Sequence, residues 1–170
     1  MSGGAGGGGT VYHVGMADLV VANAPATLIT LGLGSCIGLV IYDTVAKVAG
    51  MAHIMLPESR GAKVEKLGKF ADTAVPALVS EMLQKGAEKL RMKAKLAGGA
   101  QMFAMPGTGA GSDFLAVGAR NVKETTRMLS HFGIALLASD TGGNKGRTVE
   151  FCTNTWMLTI KTLGRGTSEI

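Results

Sequence analysis

Short apolar runs rich in β-branched residues recur through the first third of the chain. They cover residues 11–14, 19–21, 27–31, 37–43 and 47–55. Runs of this length, separated by Gly15, Pro25 and short polar turns, predict strands. The run at 37–43 is apolar on both faces, which is typical of a strand covered on both sides. We expect it to form a hairpin with 47–55.

Two later stretches carry apolar residues at the spacing of a helix. In the first, residues 72–85, Asp72 is the expected N-cap and Gly86 the C-terminal stop. The second follows a glycine-rich loop at 98–113 and ends at Gly133. Its apolar stripe consists of Leu115, Val122, Leu129 and Phe132.

The rest of the chain adds strands and completes the predicted architecture. Residues 90–97 alternate apolar and mostly basic side chains, which predicts a half-buried strand, and three more strands are expected at 134–138, 148–153 and 156–162. About eight strands and two main helices indicate an α+β fold with mixed sheets. We expect a flexible glycine-rich leader at 1–10, one domain over 11–162 and a flexible tail at 163–170.

An uncharged stretch of 24 residues lies between Asp18 and Asp43. It is long enough to span a bilayer. Asn23, Pro25 and several glycines interrupt it, so two or three buried strands explain it better than membrane insertion. The first basic residue is Lys47, and the N-terminus therefore lacks the basic region of a signal peptide. We expect a cytoplasmic protein with reduced thiols.

The distribution of charged residues indicates which classes of partner the sequence favours. The net charge is +5, and residues 58–95 alone contribute nine Lys or Arg against five Asp or Glu, a net +4. This basic region is either a solvated helix surface or a docking face for an acidic partner. Nucleic acid is a weaker reading, because the chain has only eight aromatic residues (Trp 1, Tyr 2, Phe 5) and no recognisable binding motif.

No cofactor or metal motif is present in the sequence. The glycine clusters around Gly34, Gly109 and Gly143 do not have the spacing of a dinucleotide-binding or phosphate-binding loop. Two cysteines, Cys36 and Cys152, are far apart and form no CxxC pair, which gives no indication of a disulfide framework or a zinc site. We expect neither metal nor organic cofactor, and we expect Cys152 to be a buried structural thiol.

The strongest candidate for chemistry is the pair Cys36 and His53. If the hairpin turn is centred between Thr44 and Val45, Cys36 faces His53 across the two strands, although a one-residue slip would separate them. The alternative is that both are ordinary core residues. A nucleophilic cysteine also needs an orienting group for its histidine, for which Thr30 is available.

Glycines around the cysteine fit the same chemistry. Attack on an amide carbonyl requires backbone N–H groups aimed at the developing oxyanion, and the segment at Gly34 and Ser35 is the candidate source. Gly34 and Gly38 carry no Cβ and would let a substrate approach the backbone closely.

These residues lie in segments that resemble the chemoreceptor glutamine deamidase family, CheD. The segments TLITLGLGSCIGLVIYD and GMAHIMLP resemble the family in this region. The later segments KFADTAVPALVSEMLQKGA, AKLAGGAQMF, VGARNV and SDTGGNKGRTVEF follow in the family's order. The similarity covers roughly residues 11–160. Arg147 lies in the last of these blocks, where we expect a structural turn.

The resemblance implies a fold, an activity and partners. It implies a layered α/β/β sandwich, similar to the deamidating toxin of the cytotoxic necrotizing type. It also implies a cysteine hydrolase that converts selected glutamines on the cytoplasmic domains of methyl-accepting chemotaxis receptors to glutamate through a thioester. By resemblance, Cys36 is the nucleophile, His53 the general base and acid, and Thr30 the group that orients His53. Two alternatives are a glutamyl methylesterase on the same receptors and a regulatory module that binds the chemotaxis phosphatase CheC.

Overall fold

The computed structural model describes residues 9–102 and 116–170. Within these ranges it contains ten strands and two α-helices. The strands are β1 (Thr10–His13), β2 (Leu19–Asn23), β3 (Ala26–Leu33), β4 (Ile37–Asp43), β5 (Val48–Ile54), β6 (Lys93–Gly98), β7 (Ala135–Thr141), β8 (Arg147–Cys152), β9 (Met157–Thr162) and β10 (Gly166–Glu169). The helices are α1 (Ala71–Gln84) and α2 (Val117–His131), and short 3₁₀ turns occur at Leu67–Lys69 and Lys89–Arg91.

The strands form two five-stranded mixed sheets. The outer sheet has the order β1-β3-β8-β9-β10, and the central sheet has the order β2-β5-β4-β6-β7. The pairs β1/β3 and β6/β7 are parallel, and the other neighbours are antiparallel. The helices pack on one face of the central sheet and the outer sheet packs on the other. This arrangement is an α+β sandwich and confirms the predicted fold class.

Strand β4 shows how the layers share the core. Ile37, Leu39 and Ile41 pack toward the helices, whereas Val40 and Tyr42 pack toward the outer sheet. Every residue of the strand is buried, as predicted from its continuous apolar run. The uncharged stretch between Asp18 and Asp43 forms β2, β3 and β4. Among the described residues, no helix is long and apolar enough to span a membrane.

The N-cap of helix α1 lies two residues earlier than predicted, so Asp72 is not the N-cap. Phe70 occupies that position without a side-chain cap, and Asp72 lies in the first turn. Its carboxylate accepts hydrogen bonds from the backbone N–H of Ser59 at 3.1 Å and from the Ser59 hydroxyl at 3.2 Å. Asp72 therefore anchors the loop before the helix. The stop at Gly133 is confirmed, since α2 ends at His131 and Gly133 adopts φ +70°.

The predicted half-buried strand at 90–97 is wrong in both position and burial. Residues Lys89–Arg91 form a 3₁₀ turn, and β6 is buried from its second residue onward, including Lys95. Both faces of the central sheet are covered, so the side chain of Lys95 points into protein. Its ammonium group donates hydrogen bonds to the carbonyl oxygens of Trp156 (2.7 Å) and Ile170 (3.0 Å).

The C-terminal segment also differs from prediction. Residues Gly166–Glu169 form β10, which pairs antiparallel with β9, where a flexible tail was expected over 163–170. Most of the leader, residues 1–8, lies outside the described residues. So does part of the predicted glycine-rich loop, together with Leu115 of the predicted helical stripe.

The hairpin of β4 and β5 is present, but its register differs from prediction. Asp43 pairs with Val48, so the turn covers residues 44–47 and is displaced by one residue. The buried carboxylate of Asp43 accepts hydrogen bonds from the N–H groups of Val45 (3.0 Å) and Ala46 (3.1 Å), which stabilises this turn. As a result His53 pairs with Gly38 rather than with Cys36.

Candidate active site

The predicted contact between Thr30 and His53 is present and joins the two sheets. Thr30 lies in β3 of the outer sheet and His53 near the end of β5 in the central sheet. Side chains alternate along β5, so that His53 faces the outer sheet together with Ala49 and Met51. Oγ1 of Thr30 and Nδ1 of His53 are 2.7 Å apart, and both residues are buried.

The hydrogen bonds of Thr30 determine which nitrogen of His53 carries the proton. The Thr30 hydroxyl donates its single proton to the carbonyl oxygen of Val14 at 2.7 Å. Its oxygen must therefore accept a hydrogen bond from a protonated Nδ1 of His53. In the neutral imidazole, Nε2 is then left with a free lone pair. This tautomer is the one required of a general base that acts through Nε2.

Cys36 lies immediately before β4 and on the same face of the central sheet as His53. It packs against the cluster that fills the space between the two sheets. Because His53 pairs with Gly38, Cys36 is a diagonal neighbour of His53, for which about 7–8 Å between backbones is typical. Nε2 of His53 is buried and has no hydrogen-bond partner in the described parts of the chain. The thiol and the imidazole are thus adjacent without a direct hydrogen bond.

Burial sets the charge state of both groups. It raises the pKa of the Cys36 thiol above 9.0. Burial also lowers the pKa of His53 below 6.5, and the nearby carboxylate of Asp18 opposes this shift only in part. At neutral pH the pair is therefore a neutral thiol and a neutral imidazole. This differs from the thiolate and imidazolium pair that the chemistry of reactive cysteines suggests.

The loop before β4 is held through its carbonyl oxygens. The backbone N–H of Ala100 donates to Gly34 O at 2.9 Å, and that of Gly99 donates to Cys36 O at 3.0 Å. The carbonyl of Ser35 accepts a hydrogen bond from the side chain of Asn121 at 2.9 Å. Sequence reasoning missed Asn121, and no local pattern marks it, because its partners Ser35 and Met55 lie 86 and 66 positions away in sequence.

Two glycines near the cysteine have structural reasons for lacking a side chain. A Cβ on Gly38 would lie 3.0 Å from both Leu33 Cδ1 and Val149 Cγ2, so this glycine permits the close packing of the two sheets. A Cβ on Gly34 would lie 3.1 Å from Cγ of Met102. The expectation that both glycines leave room for a substrate is therefore wrong for Gly38, which is buried between the sheets.

Two other predicted residues have defined surroundings. The buried guanidinium of Arg147 donates to the carbonyl oxygens of Gly98 (3.3 Å) and Gly142 (3.0 Å), which supports the expected structural role. Cys152 is only half-buried. It lies on the face of β8 opposite to the core residue Phe151, so the prediction of a buried thiol is wrong.

Within residues 9–102 and 116–170, no group of three or more His, Cys, Asp or Glu side chains could hold a metal ion. The functional groups that the structure brings together are the Thr30 hydroxyl, the His53 imidazole and the Cys36 thiol. The fold and site thus define an α+β sandwich with a cysteine, a histidine and a threonine clustered where its two sheets meet.

Comparison with known proteins gives the family. The family described as CheD chemotactic sensory transduction matches residues 55–162. The "Probable chemoreceptor glutamine deamidase CheD" of Caldanaerobacter subterraneus subsp. tengcongensis is 49% identical, over 94% of this chain and 98% of the relative. The corresponding proteins of Halalkalibacterium halodurans (48% identical; 94% and 98% covered) and Thermotoga maritima (46% identical; 90% and 92% covered) are also similar. The chain belongs to the CheD family.

Proposed function

We propose that this protein is a chemoreceptor glutamine deamidase of the cysteine hydrolase type. It converts glutamine side chains in the cytoplasmic domains of methyl-accepting chemotaxis receptors to glutamate. The names of its relatives support the activity and the substrate class. The observation that carries the proposal is the hydrogen bond between Thr30 and His53, because it leaves Nε2 of His53 as a free base on the face that also carries Cys36.

The first half of the reaction forms a thioester. Nε2 of His53 takes the proton from Sγ of Cys36, and the thiolate attacks the carbon of the glutamine carboxamide. Backbone N–H groups of the segment at Gly34, Ser35 and Cys36 stabilise the oxyanion. The imidazolium of His53 then protonates the leaving nitrogen as the C–N bond breaks, and ammonia departs. Catalytic hydrogen bonds commonly shorten once substrate is bound. The lack of a hydrogen bond between the Cys36 thiol and the His53 imidazole in the free protein is therefore compatible with proton transfer between them.

The second half restores the enzyme. Water gives a proton to Nε2 of His53 while its oxygen attacks the thioester carbon. The C–S bond breaks, and the proton returns to Sγ of Cys36. The net change is one water consumed, one ammonia released and one glutamate formed. Each step uses only protein groups and water.

The pH dependence of the reaction follows from the neutral charge state of the pair. His53 has to be neutral to accept the thiol proton, and burial lowers its pKa, so activity should persist in mild acid. At high pH the pair loses the proton of the Cys36 thiol, and burial raises the pKa of that thiol, so activity should also persist in mild base. We expect the acid limb of kcat/KM to lie below the ordinary pKa of a histidine and the alkaline limb to lie above the ordinary pKa of a cysteine, because burial lowers the pKa of His53 and raises the pKa of Cys36.

The measurement is ammonia release from a receptor cytoplasmic fragment across this range, with protein stability followed in parallel. A wild-type acid limb above pH 7, with the protein folded throughout, would mean that the neutral pair is the wrong resting state.

Product analysis separates deamidation from the methylesterase alternative. Mass spectrometry of receptor fragments distinguishes glutamine converted to glutamate from methyl glutamate converted to glutamate, since the starting groups differ. We propose deamidation as the principal reaction.

Binding of the phosphatase CheC is a further proposal from the family resemblance. A titration of Cys36→Ala with CheC should show unchanged affinity, because that contact needs no nucleophile.

We propose that a cavity lined by three lysines and Glu65, near the end of β5, engages an acidic surface on the receptor fragment. The cavity has a volume of about 340 Å³, and its lining includes Met55, Lys63, Lys66 and Lys69. Met55 follows His53 by two residues, which places the cavity at the end of β5 where the imidazole lies. Lys66 already forms an ion pair with Asp18 at 3.0 Å, so Lys63 and Lys69 are the better candidates for a partner.

The double variant Lys63→Gln, Lys69→Gln is expected to raise KM for an acidic receptor fragment about three- to tenfold and to leave kcat unchanged. The effect should shrink as salt concentration rises. A matched control is Lys85→Gln, Lys89→Gln, which removes the same charge beyond the end of α1. Equal KM values for both double variants would show that charge at this cavity does not contribute to docking.

A further inference from the structure

We propose that Asn121 is a positioning residue for the reaction, and that it directs the backbone N–H of Cys36 toward the oxygen of the reacting carboxamide. This inference rests on the proposed function and extends it to a residue on helix α2. It concerns the orientation of one peptide bond, between Ser35 and Cys36.

The side chain of Asn121 connects the two segments that carry the reacting groups. Its Nδ2 donates one hydrogen bond to Ser35 O at 2.9 Å and the other to Met55 O at 3.0 Å. Ser35 precedes the cysteine, and Met55 lies two residues beyond His53. Asn121 is fully buried, so these contacts are shielded from water. One amide group thus fixes the spacing between the start of β4 and the end of β5.

The direction of the Ser35 carbonyl determines the direction of the Cys36 N–H. In a trans peptide the C=O and N–H bonds point in opposite directions. The carbonyl of Ser35 points toward α2, which covers one face of the central sheet. The N–H of Cys36 therefore points toward the other face, on which the His53 side chain lies. Within the described ranges this N–H donates to no backbone acceptor.

A close approach of helix and loop makes this contact possible. A Cβ on Gly118 would lie 2.5 Å from the carbonyl oxygens of both Gly99 and Ala100. Any larger residue would push the first turn of α2 away from the segment that follows β6. Asn121 lies one turn further along the helix and benefits directly from this approach. The N–H groups of Gly99 and Ala100 hold the carbonyls on either side of Ser35.

The test compares Asn121→Ala and Asn121→Ser with Thr125→Ala. Thr125 is also fully buried, lies one turn further along α2, and its hydroxyl has no hydrogen-bond partner among the described residues. We expect both Asn121 variants to lower kcat about 10²-fold, as removal of an oxyanion donor does, with KM within about threefold of wild type. Asn121→Ser retains a small polar group and serves as the variant that folds if the alanine variant does not.

A second measurement separates positioning from a general loss of structure. A receptor peptide in which an aldehyde replaces the target carboxamide should form a tetrahedral adduct with Cys36, whose oxygen needs the N–H donor. Alkylation of Cys36 by iodoacetamide forms no such oxyanion. We expect the Asn121 variants to bind the aldehyde peptide about 10²-fold more weakly while their alkylation rates stay within about threefold of wild type.

The outcomes also distinguish this inference from the proposed function. If wild type deamidates and the Asn121 variants retain the kcat of Thr125→Ala, the positioning role is wrong and the deamidase proposal stands. Equal loss of alkylation and of aldehyde binding would also overturn the positioning role of Asn121, because the variants would then have lost the reactivity of the Cys36 thiol itself. If wild type leaves receptor glutamines unchanged, the proposed function fails first.

Discussion

Replacement of Cys36 by alanine is expected to lower kcat for receptor deamidation by about 10⁴-fold or more, because the proposed acyl intermediate forms on the Cys36 thiol. The measurement is conversion of glutamine to glutamate in a receptor fragment, quantified by mass spectrometry. Binding of the fragment should change little, since the thiol contributes to bond formation rather than to docking. The folded state should also persist, because Cys36 is only half-buried.

The matched control is Cys152→Ala. Cys152 is the second free thiol, also half-buried, and it lies on β8 with its side chain on the face opposite the core. We expect its replacement to leave kcat within about twofold of wild type. If Cys152→Ala abolished activity without unfolding the protein, or Cys36→Ala left it intact, the assignment of the nucleophile would be reversed or wrong.

His53→Gln is the second large effect, with an expected loss of about 10³-fold in kcat from removal of general acid–base catalysis. Glutamine can retain a contact with Thr30 but cannot take up the thiol proton at neutral pH. The residual activity should increase with pH as the thiol ionises by itself, and the acid limb that His53 gives the wild type should be absent from the variant. Activity of His53→Gln equal to wild type near pH 7 would exclude His53 as the base.

Replacement of Thr30 is expected to lower kcat less than replacement of His53. Thr30→Val keeps the shape of the side chain but removes the hydroxyl that fixes the tautomer of His53, so a smaller loss of about 10- to 10²-fold is expected. Thr27→Val is the matched control, because Thr27 lies on the same strand with its side chain on the other face. A loss for Thr30→Val as large as that for His53→Gln would point to a broader disruption of the site.

The sequence was sufficient for the bounds of β4 but not for the register of the hairpin that it forms with β5. The bounds of β4 were predicted correctly because its apolar run is bordered by Ser35 and by the turn after Asp43. Both β4 and β5 are buried on both faces, so alternation of polar and apolar residues could not specify which pairs face each other. The Asp43 carboxylate accepts hydrogen bonds from the backbone of the turn and stabilises it at residues 44–47. Turn propensity alone does not give this position.

The sequence and its family resemblance nominate Thr30, His53 and Cys36, whose catalytic roles stay a prediction, but they do not indicate the electrostatics or the support of the site. The neutral state of Cys36 and His53 depends on burial between two sheets, and the contact of Asn121 with Ser35 spans 86 positions in sequence. For the same reason the alternation around Lys95 predicted an exposed side chain, although tertiary structure buries it.

The most direct test of the central claim is mass spectrometry of a receptor cytoplasmic fragment after incubation with wild type or with Cys36→Ala. The account predicts that wild type converts specific glutamines to glutamate with release of ammonia, and that Cys36→Ala leaves the same positions as glutamine. Conversion by Cys36→Ala at the wild-type rate would contradict it. Unchanged glutamines with folded wild-type protein would contradict deamidation of that receptor altogether.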